Sequence, residues 1–263
     1  MSPVCHWPSG FRFSFSDCVT STNDVARNFA NRRNFGKVWF STENQTGGRG
    51  RHGRVWESKR GDFAASLLLR DIAHSQKIIF LSFAASLAVS DVLRVCLPKS
   101  EVAIKWPNDV LVDGKKVAGI LLEAQCTGAE LFDWIVIGIG INVLHIPSEA
   151  SLGMKVEMPW PATSIAESMA GCAQIFPPSN MWLLSKLSSF FVRYYDAWCE
   201  GMTDSLKEEW CRNAAITTGK AVRIRSAEGV VQGYFSNIDE EGALILKDIQ
   251  GVEHRFTVAD VYF

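Results

Sequence analysis

Hydrophobic and polar positions change period several times along the chain. Phe11, Phe13 and Phe15 alternate with polar residues, which predicts a short strand. Thr20-Ser21-Thr22-Asn23-Asp24 follows as a loop rich in capping side chains, before a helix over about 24–31. Residues 36–41 read as a second strand. Phe63 to Leu69 is apolar at nearly every position, as a strand buried on both faces would be. A long helix over 76–95 is expected to cover that sheet. Ser82, Ser86, Ser90, Asp91 and Arg94 interrupt its apolar run, so a buried helix fits better than a bilayer span. Two apolar runs flank Asp113-Gly114, a dipeptide suited to a tight hairpin turn. Residues 134–143 read as a central strand in which Gly138 and Gly140 leave one face bare. Helices are expected over 162–167, 178–198 and 206–211, the second with an apolar stripe that includes Leu183, Leu187 and Phe191. From about Thr217, short alternating runs parted by Glu228-Gly229, Glu241-Gly242 and Gln250-Gly251 predict a small all-β barrel.

Composition narrows the picture. A length of 263 residues suits one large domain, or a large one plus a small one. With 27 Lys+Arg against 28 Asp+Glu the net charge is -1, so no global field attracts DNA or an anionic membrane, and any anion binding must come from a local cluster. The 7 cysteines are odd in number, scattered and without a CxxC pair. That argues against a disulfide framework and a zinc site, and points to a reducing compartment. The N-terminus lacks an apolar signal core, while Arg12, Arg27, Arg32 and Arg33 leave an organelle-targeting reading open.

Three stretches carry candidate chemistry. In Gln45-Thr-Gly-Gly-Arg-Gly-Arg-His-Gly-Arg-Val-Trp56, four glycines allow sharp bends and close approach, and Arg49, Arg51 and Arg54 place three permanent cations among them. Such a loop can cradle anionic oxygen; read alone, it is equally a solvated basic loop. In Lys105-Trp-Pro-Asn-Asp109, Pro107 cannot donate to a ladder, which predicts a break at a strand end where side chains are free for chemistry. Lys116 lies just past the hairpin turn on the face opposite Lys115, and one or both are ordinary hairpin charges if no ligand binds. The glycines of the central strand suit either a ligand or close helix packing. Asn142, polar in an apolar context, needs a specific partner. The C-terminal barrel has no motif of its own, so a docking or stabilising appendage is its default role.

Together these stretches resemble the biotin protein ligase family. The likeness is carried by Ser21-Thr22-Asn23, by Gln45 with 48–56, by 105–109, by Lys116-Val-Ala-Gly-Ile-Leu-Leu-Glu123 and by Gly138-Ile-Gly-Ile-Asn-Val143, all in the family's order. It implies an α+β chain: a class II synthetase-like catalytic domain (1–215), a mixed sheet flanked by helices, followed by a small SH3-like β-barrel (216–263). It also implies a two-step ligase reaction. Biotin and ATP give biotinyl-5′-AMP and pyrophosphate with Mg²⁺, and a lysine of a biotin carboxyl carrier domain then takes the acyl group.

By the same resemblance, Lys116, Arg49, Arg51 and Asp109 are the catalytic residues. Ser21, Thr22, Asn23, Gln45, Gly48, Arg49, Gly50, Arg51, Lys116, Gly119, Gly138 and Gly140 line the biotin site. Arg49, Arg51, Arg54, Trp56, Lys105, Asn108, Lys116 and Asn142 bind ATP, with Asn142 near the metal. The chain opens directly on the catalytic motifs, so the DNA-binding winged-helix domain of some members is not implied, nor is a membrane; a homodimer stays open. The compartment implied is the cytoplasm, with the mitochondrion as alternative. His52 departs from the basic residue of many relatives, and the loop after Val143 is longer than in compact members. The rivals are a lipoate protein ligase and a non-catalytic carrier- or RNA-binding module.

Overall fold

The computed structural model describes residues 7–32, 36–70, 72–73, 77–126, 131–148, 160–170, 176–226 and 228–263. In chain order these form β1 (Arg12–Val19), α1 (Thr22–Ala30), β2 (Val38–Gln45), β3 (Gly48–Arg49), β4 (Val55–Trp56), β5 (Phe63–Leu69), β6 (Ile72–Ala73) and α2 (Ile79–Cys96). Next come β7 (Val102–Lys105), β8 (Asp109–Val112), β9 (Lys115–Gln125), β10 (Leu131–Phe132), β11 (Trp134–Ile141), α3 (Ile165–Ser168), α4 (Asn180–Cys199) and α5 (Thr203–Arg212). The C-terminal part adds β12 (Ala221–Ser226), β13 (Gly229–Ile238), β14 (Leu244–Asp248), β15 (Glu253–Phe256) and β16 (Asp260–Tyr262).

The large sheet runs β1-β2-β5-β11-β9-β8-β7. Its first pair is parallel and the rest antiparallel, so the sheet is mixed. β5 is buried at every position, as its unbroken apolar run requires. Its alternate residues serve two layers: Phe63, Ala65, Leu67 and Leu69 join the main core beneath α2 and α4, while Leu68 faces α1 with Ala26, Ala30, Phe40 and Val136. α2 is apolar enough to cross a membrane by composition, yet 72% of it is buried inside the protein, where it supports the sheet.

Asp113 and Gly114 take φ of 48° and 75°, the left-handed pair that a tight β8-β9 hairpin demands. Trp106-Pro107 is a cis peptide where β7 leaves the ladder. β11 pairs with β5 on one side and β9 on the other, which puts Gly138 and Gly140 mid-sheet.

The C-terminal part is a separate antiparallel sheet in the order β15-β14-β13-β12-β16. The main chain of 213–215 bonds back to Ile104 of β7 before β12 begins, and Trp106 Nε1 donates to Gly242 O at 3.1 Å, joining the two sheets.

Several boundaries differ from the sequence reading. α1 begins at Thr22, so Thr22 and Asn23 lie in its first turn rather than in the loop before it. β2 extends through Gln45, two turns of the pleat beyond the expected end, because its last residues go on pairing with β1 after the β5 pairing stops at Thr42. β16 was not anticipated; three residues carry too little pattern to announce a strand. The irregular stretch 144–159 is described only to Ser148, and Cys5, Arg33 and Cys172 also lie outside the described residues. The described cysteines include five free thiols, Cys18, Cys96, Cys126, Cys199 and Cys211.

Candidate active site

One cleft opens on the α1 face of the large sheet, between the β3-β4 loop, the β7-β8 break, the ends of β9 and β11, and β16. Lining it are Ser21, Thr22, Asn23, Gln45, Arg49, Gly50, Arg51, Arg54, Trp56, Lys105, Asn108, Asp109, Lys116, Gly119, Gly138, Gly140 and Asn142. Of the site residues that the resemblance implies, Gly48 alone is not on its wall. It lies just behind, where a Cβ would fall 2.4 Å from Trp56 O and 2.7 Å from Gln45 Nε2, so only glycine lets β3 lie against β4 there.

Beside the start of α1 the cleft is lined by a tightly satisfied network of neutral side chains that ends on the Glu123 carboxylate. Gln45 Oε1 accepts from Thr22 N at 3.0 Å and from Thr22 Oγ1 at 3.2 Å. Ser66 Oγ lies 2.7 Å from Thr22 Oγ1 and donates to Asn23 Oδ1 at 2.6 Å, and Asn23 Nδ2 donates to Glu123 Oε2 at 2.7 Å. Thr22, Asn23, Gln45 and Ser66 are all buried. Gly138 makes this packing achievable: a Cβ on it would sit 2.2 Å from Asn23 Oδ1. The bare face of β11 is thus covered by protein side chains, Asn23 over Gly138 and the Trp56 indole over Gly140, where a Cβ would come within 2.4 Å of the ring.

The cations of the cleft are matched by carboxylates, Arg49 beside α1 and Arg54 and Lys116 toward β16 and β8. Arg49 donates twice to Asp24, both at 2.8 Å, and approaches Glu123 at 3.8 Å. That hydrogen-bonded pairing holds the Asp24 carboxyl below its ordinary range. Arg54 makes a two-pronged ion pair with Asp260 of β16. Burial raises the Asp260 carboxyl, but the Arg54 hydrogen bond and the surrounding positive charge outweigh it and the net shift is downward. Lys116 Nζ lies 2.6 Å from Asp109 Oδ1 and 5.6 Å from the Trp56 ring.

Arg51 is held by a neutral group, Asn108 Oδ1 at 3.2 Å, while Asn108 Nδ2 donates to Ile120 O at 2.5 Å and so fixes the amide on β9. Burial depresses the Arg51 guanidinium. Lys105 is buried too, 4.8 Å above the Trp160 ring, and burial likewise lowers its ammonium. An anion entering here would find cations whose charge is poorly solvated, which strengthens the attraction.

The chain fixes the Lys116 backbone independently of its side chain. Its N–H donates to Pro161 O at 2.8 Å and its carbonyl accepts from Thr163 N at 2.9 Å. A bulge between Val110 and Leu111 in the β8-β9 register breaks strict alternation beside it. The Lys116 side chain lies over Gly119, whose Cβ would meet its Cε and Nζ at 3.6 Å. Asn142, also buried, donates from Nδ2 to Thr163 O at 2.9 Å, the specific partner its setting required.

Asp24, Ser66, Glu123, Asp260, Tyr262 and Trp160 also contribute, either lining the cleft or bonding to residues that do. Ser66 had a signal, a lone polar side chain in an apolar strand. Asp260 had none, because its partner lies 206 positions away. The C-terminal sheet therefore contributes to the cleft wall through Ala259, Asp260 and Tyr262, which corrects the reading of it as a mere appendage.

Comparison with known proteins agrees with this architecture. Residues 15–142 match the model of the biotin/lipoate A/B protein ligase family, and residues 217–263 match the biotin protein ligase C terminal domain. A biotin--[acetyl-CoA-carboxylase] ligase of Paracoccus denitrificans is 33% identical over 230 residues, 87% of this chain and 91% of that protein. One of Mycobacterium tuberculosis is 34% identical over 240 residues, covering 88% and 81%. Among solved structures, biotin protein ligase from Aquifex aeolicus in complex with biotin and ATP superimposes with a TM-score of 0.75 at 23% identity, covering 95% of this chain and 98% of that one. The fold is therefore a mixed sheet flanked by helices, followed by an antiparallel β domain of SH3-like type. On the extent of the sequence likeness, this chain belongs to the biotin protein ligase family.

Proposed function

We propose that the chain is a biotin--protein ligase which joins biotin to ATP, releasing pyrophosphate, and passes the biotinyl group of biotinyl-5′-AMP to a lysine of a biotin carboxyl carrier domain. The observation that carries this reading is the make-up of this cleft: a buried network of neutral side chains at Thr22, Asn23, Gln45 and Ser66, and a cluster of cations around Lys116 and Trp56. A ureido ring offers neutral donors and acceptors, which Thr22, Asn23 and Gln45 match, with Ser21 at the start of the same turn. A carboxylate and a triphosphate repel each other, and fixed cations offset that repulsion.

The roles follow from position. Arg49, with Gly48 and Gly50 leaving room in the main chain, and Arg51 bridge the two ends. Arg54, Lys105 and Asn108 face the nucleotide. Lys116 stabilises charge at the carboxyl-phosphoryl junction, which is worth about 3 kcal/mol of barrier if it acts as one oxyanion donor. Asp109, 2.6 Å from the Lys116 ammonium, also stands where it can orient the incoming carrier lysine. Gly119 and Gly140 provide a floor on which Trp56 rests and from which it can swing over an adenylate.

Mg²⁺ fits as a substrate-borne ion. Among the described residues no group of three or more His, Cys, Asp or Glu could hold it. Asn142 spends its Nδ2 on Thr163 and can offer one carbonyl oxygen, the sparse protein ligation usual for Mg²⁺ on phosphates. When bound, the ion would neutralise phosphate charge.

We divide the chain at 215/216, where the main-chain bonds to Ile104 end. A net charge of -1 gives no general attraction for DNA or membrane, so the reading invokes neither. Free thiols suit the cytoplasm or another reducing compartment. Incubation with ATP, Mg²⁺, labelled biotin and a carrier domain tests the reading: label should appear on one carrier lysine. Lipoate transfer without biotin transfer would instead favour a lipoate ligase, and carrier binding without ATP consumption would favour a non-catalytic module.

A further inference from the structure

Asp62, on the residue before β5, is a buried carboxylate outside the cleft wall. Its Oδ1 accepts the main-chain N–H of Val143 at 3.1 Å, Leu144 at 2.9 Å and His145 at 3.1 Å. Its Oδ2 accepts from Lys59 N at 3.1 Å and lies 3.2 Å from His145 Nδ1. One carboxylate thus gathers the turn by which the chain leaves β11 immediately after Asn142. It ties that turn to the connection that leaves β4 immediately after Trp56. Glu57 repeats the device three residues beyond His145, accepting from Ser148 N at 2.9 Å and Ser148 Oγ at 3.0 Å.

Three converging amides on one oxygen make an arrangement that an apolar residue could not reproduce. It exceeds what the core needs, since β5 and β11 are already paired from Phe63 and Ile141 onward. What it adds is placement of Asn142, which lines the nucleotide end, against the segment carrying Trp56.

We infer that Asp62 is a positioning residue for the nucleotide half of the site. It acts through the 143–145 turn and not by touching substrate. The inference rests on the cleft's charged end taking ATP as proposed above. Asp62→Asn retains an acceptor for the three amides but presents an NH₂ group where Oδ2 accepts from Lys59 N–H. Asp62→Ala removes every acceptor.

The test measures ATP dissociation by calorimetry in both variants, alongside biotin dissociation and thermal unfolding. We expect ATP affinity to fall roughly tenfold in Asp62→Asn and further in Asp62→Ala, with biotin affinity within about twofold of wild type. His145→Ala, which spares the three amides, should change ATP affinity by less than about twofold. Unchanged ATP affinity in folded Asp62→Asn, or equal losses for biotin and ATP, would overturn the inference by leaving Asp62 a purely structural role. Biotin-dependent pyrophosphate exchange by the wild type is measured separately. Its absence would count against the ligase reading, while the ATP titrations would still decide the role of Asp62.

Discussion

The two ends of the cleft are built on opposite principles. Beside α1, Thr22, Asn23, Gln45 and Ser66 are buried, uncharged and bonded to one another, so their geometry is set before any ligand arrives. Around them, Arg49, Arg54 and Lys116 are part-exposed cations held by Asp24 of α1, Asp260 of β16 and Asp109 of β8. The first end recognises by shape and hydrogen-bond polarity. The second holds charge in readiness, with internal carboxylates occupying the places that anionic oxygens would take. A neutral pocket can be rigid because nothing in it repels; a cluster of cations must be counterbalanced to persist in the folded chain.

The largest test of the contrast is Lys116→Ala. Its ammonium belongs to the charged end yet stands where both ends meet, so kcat/KM for biotin-dependent pyrophosphate exchange should fall by about 10²–10³-fold while biotin binding changes little. Next in size is Gly138→Ala. Its Cβ would strike Asn23 Oδ1 at 2.2 Å, and Asn23 cannot step aside while bonded to Ser66 and Glu123. Biotin KM should rise about a hundredfold, with ATP KM nearly unmoved. Gln45→Ala removes one buried neutral acceptor and should cost biotin affinity about tenfold, read by calorimetry.

Smaller effects come from conditions. Raising salt from about 0.1 M to 1 M should weaken ATP binding severalfold and leave biotin binding flat, since only one end works by charge. Alkaline pH should do the same. Burial lowers the Lys105 ammonium below its ordinary 10.5, so its charge is lost as pH rises through that lowered value. ATP affinity should therefore decline at high pH, and Lys105→Met should flatten the decline. At the acid end the sign reverses. Asp24 has a depressed pKa, so its contribution is complete above the ordinary 3.8 and disappears as pH falls through the lower folded value. Unfolding measured across that range should show the pairing with Arg49 fading.

The same contrast explains what the sequence disclosed. Local rules were legible: Asp113-Gly114 demanded left-handed φ, the apolar run of β5 demanded burial on both faces, and Gly138 and Gly140 signalled an approach by bulky groups. The identity of those groups was not legible, because Asn23 lies more than a hundred positions from Gly138 and only tertiary packing brings them together. The cations were visible as Arg49, Arg51 and Arg54, but their counter-charges were not. Asp24 sat inside a capping sequence, Glu123 at the far end of a strand, and Asp260 in a sheet with no motif. A run of glycine and arginine announces an anion site; nothing in it says which carboxylate keeps the place until the anion comes.

Biotin-dependent exchange of labelled pyrophosphate into ATP tests the central claim most directly, because it needs both ends of the cleft at once. Wild-type protein with ATP and Mg²⁺ should exchange label when biotin is present and not when lipoate replaces it, and Lys116→Ala should lower the exchange by about 10²–10³-fold. Exchange supported by lipoate alone, or undiminished in Lys116→Ala, would contradict the account.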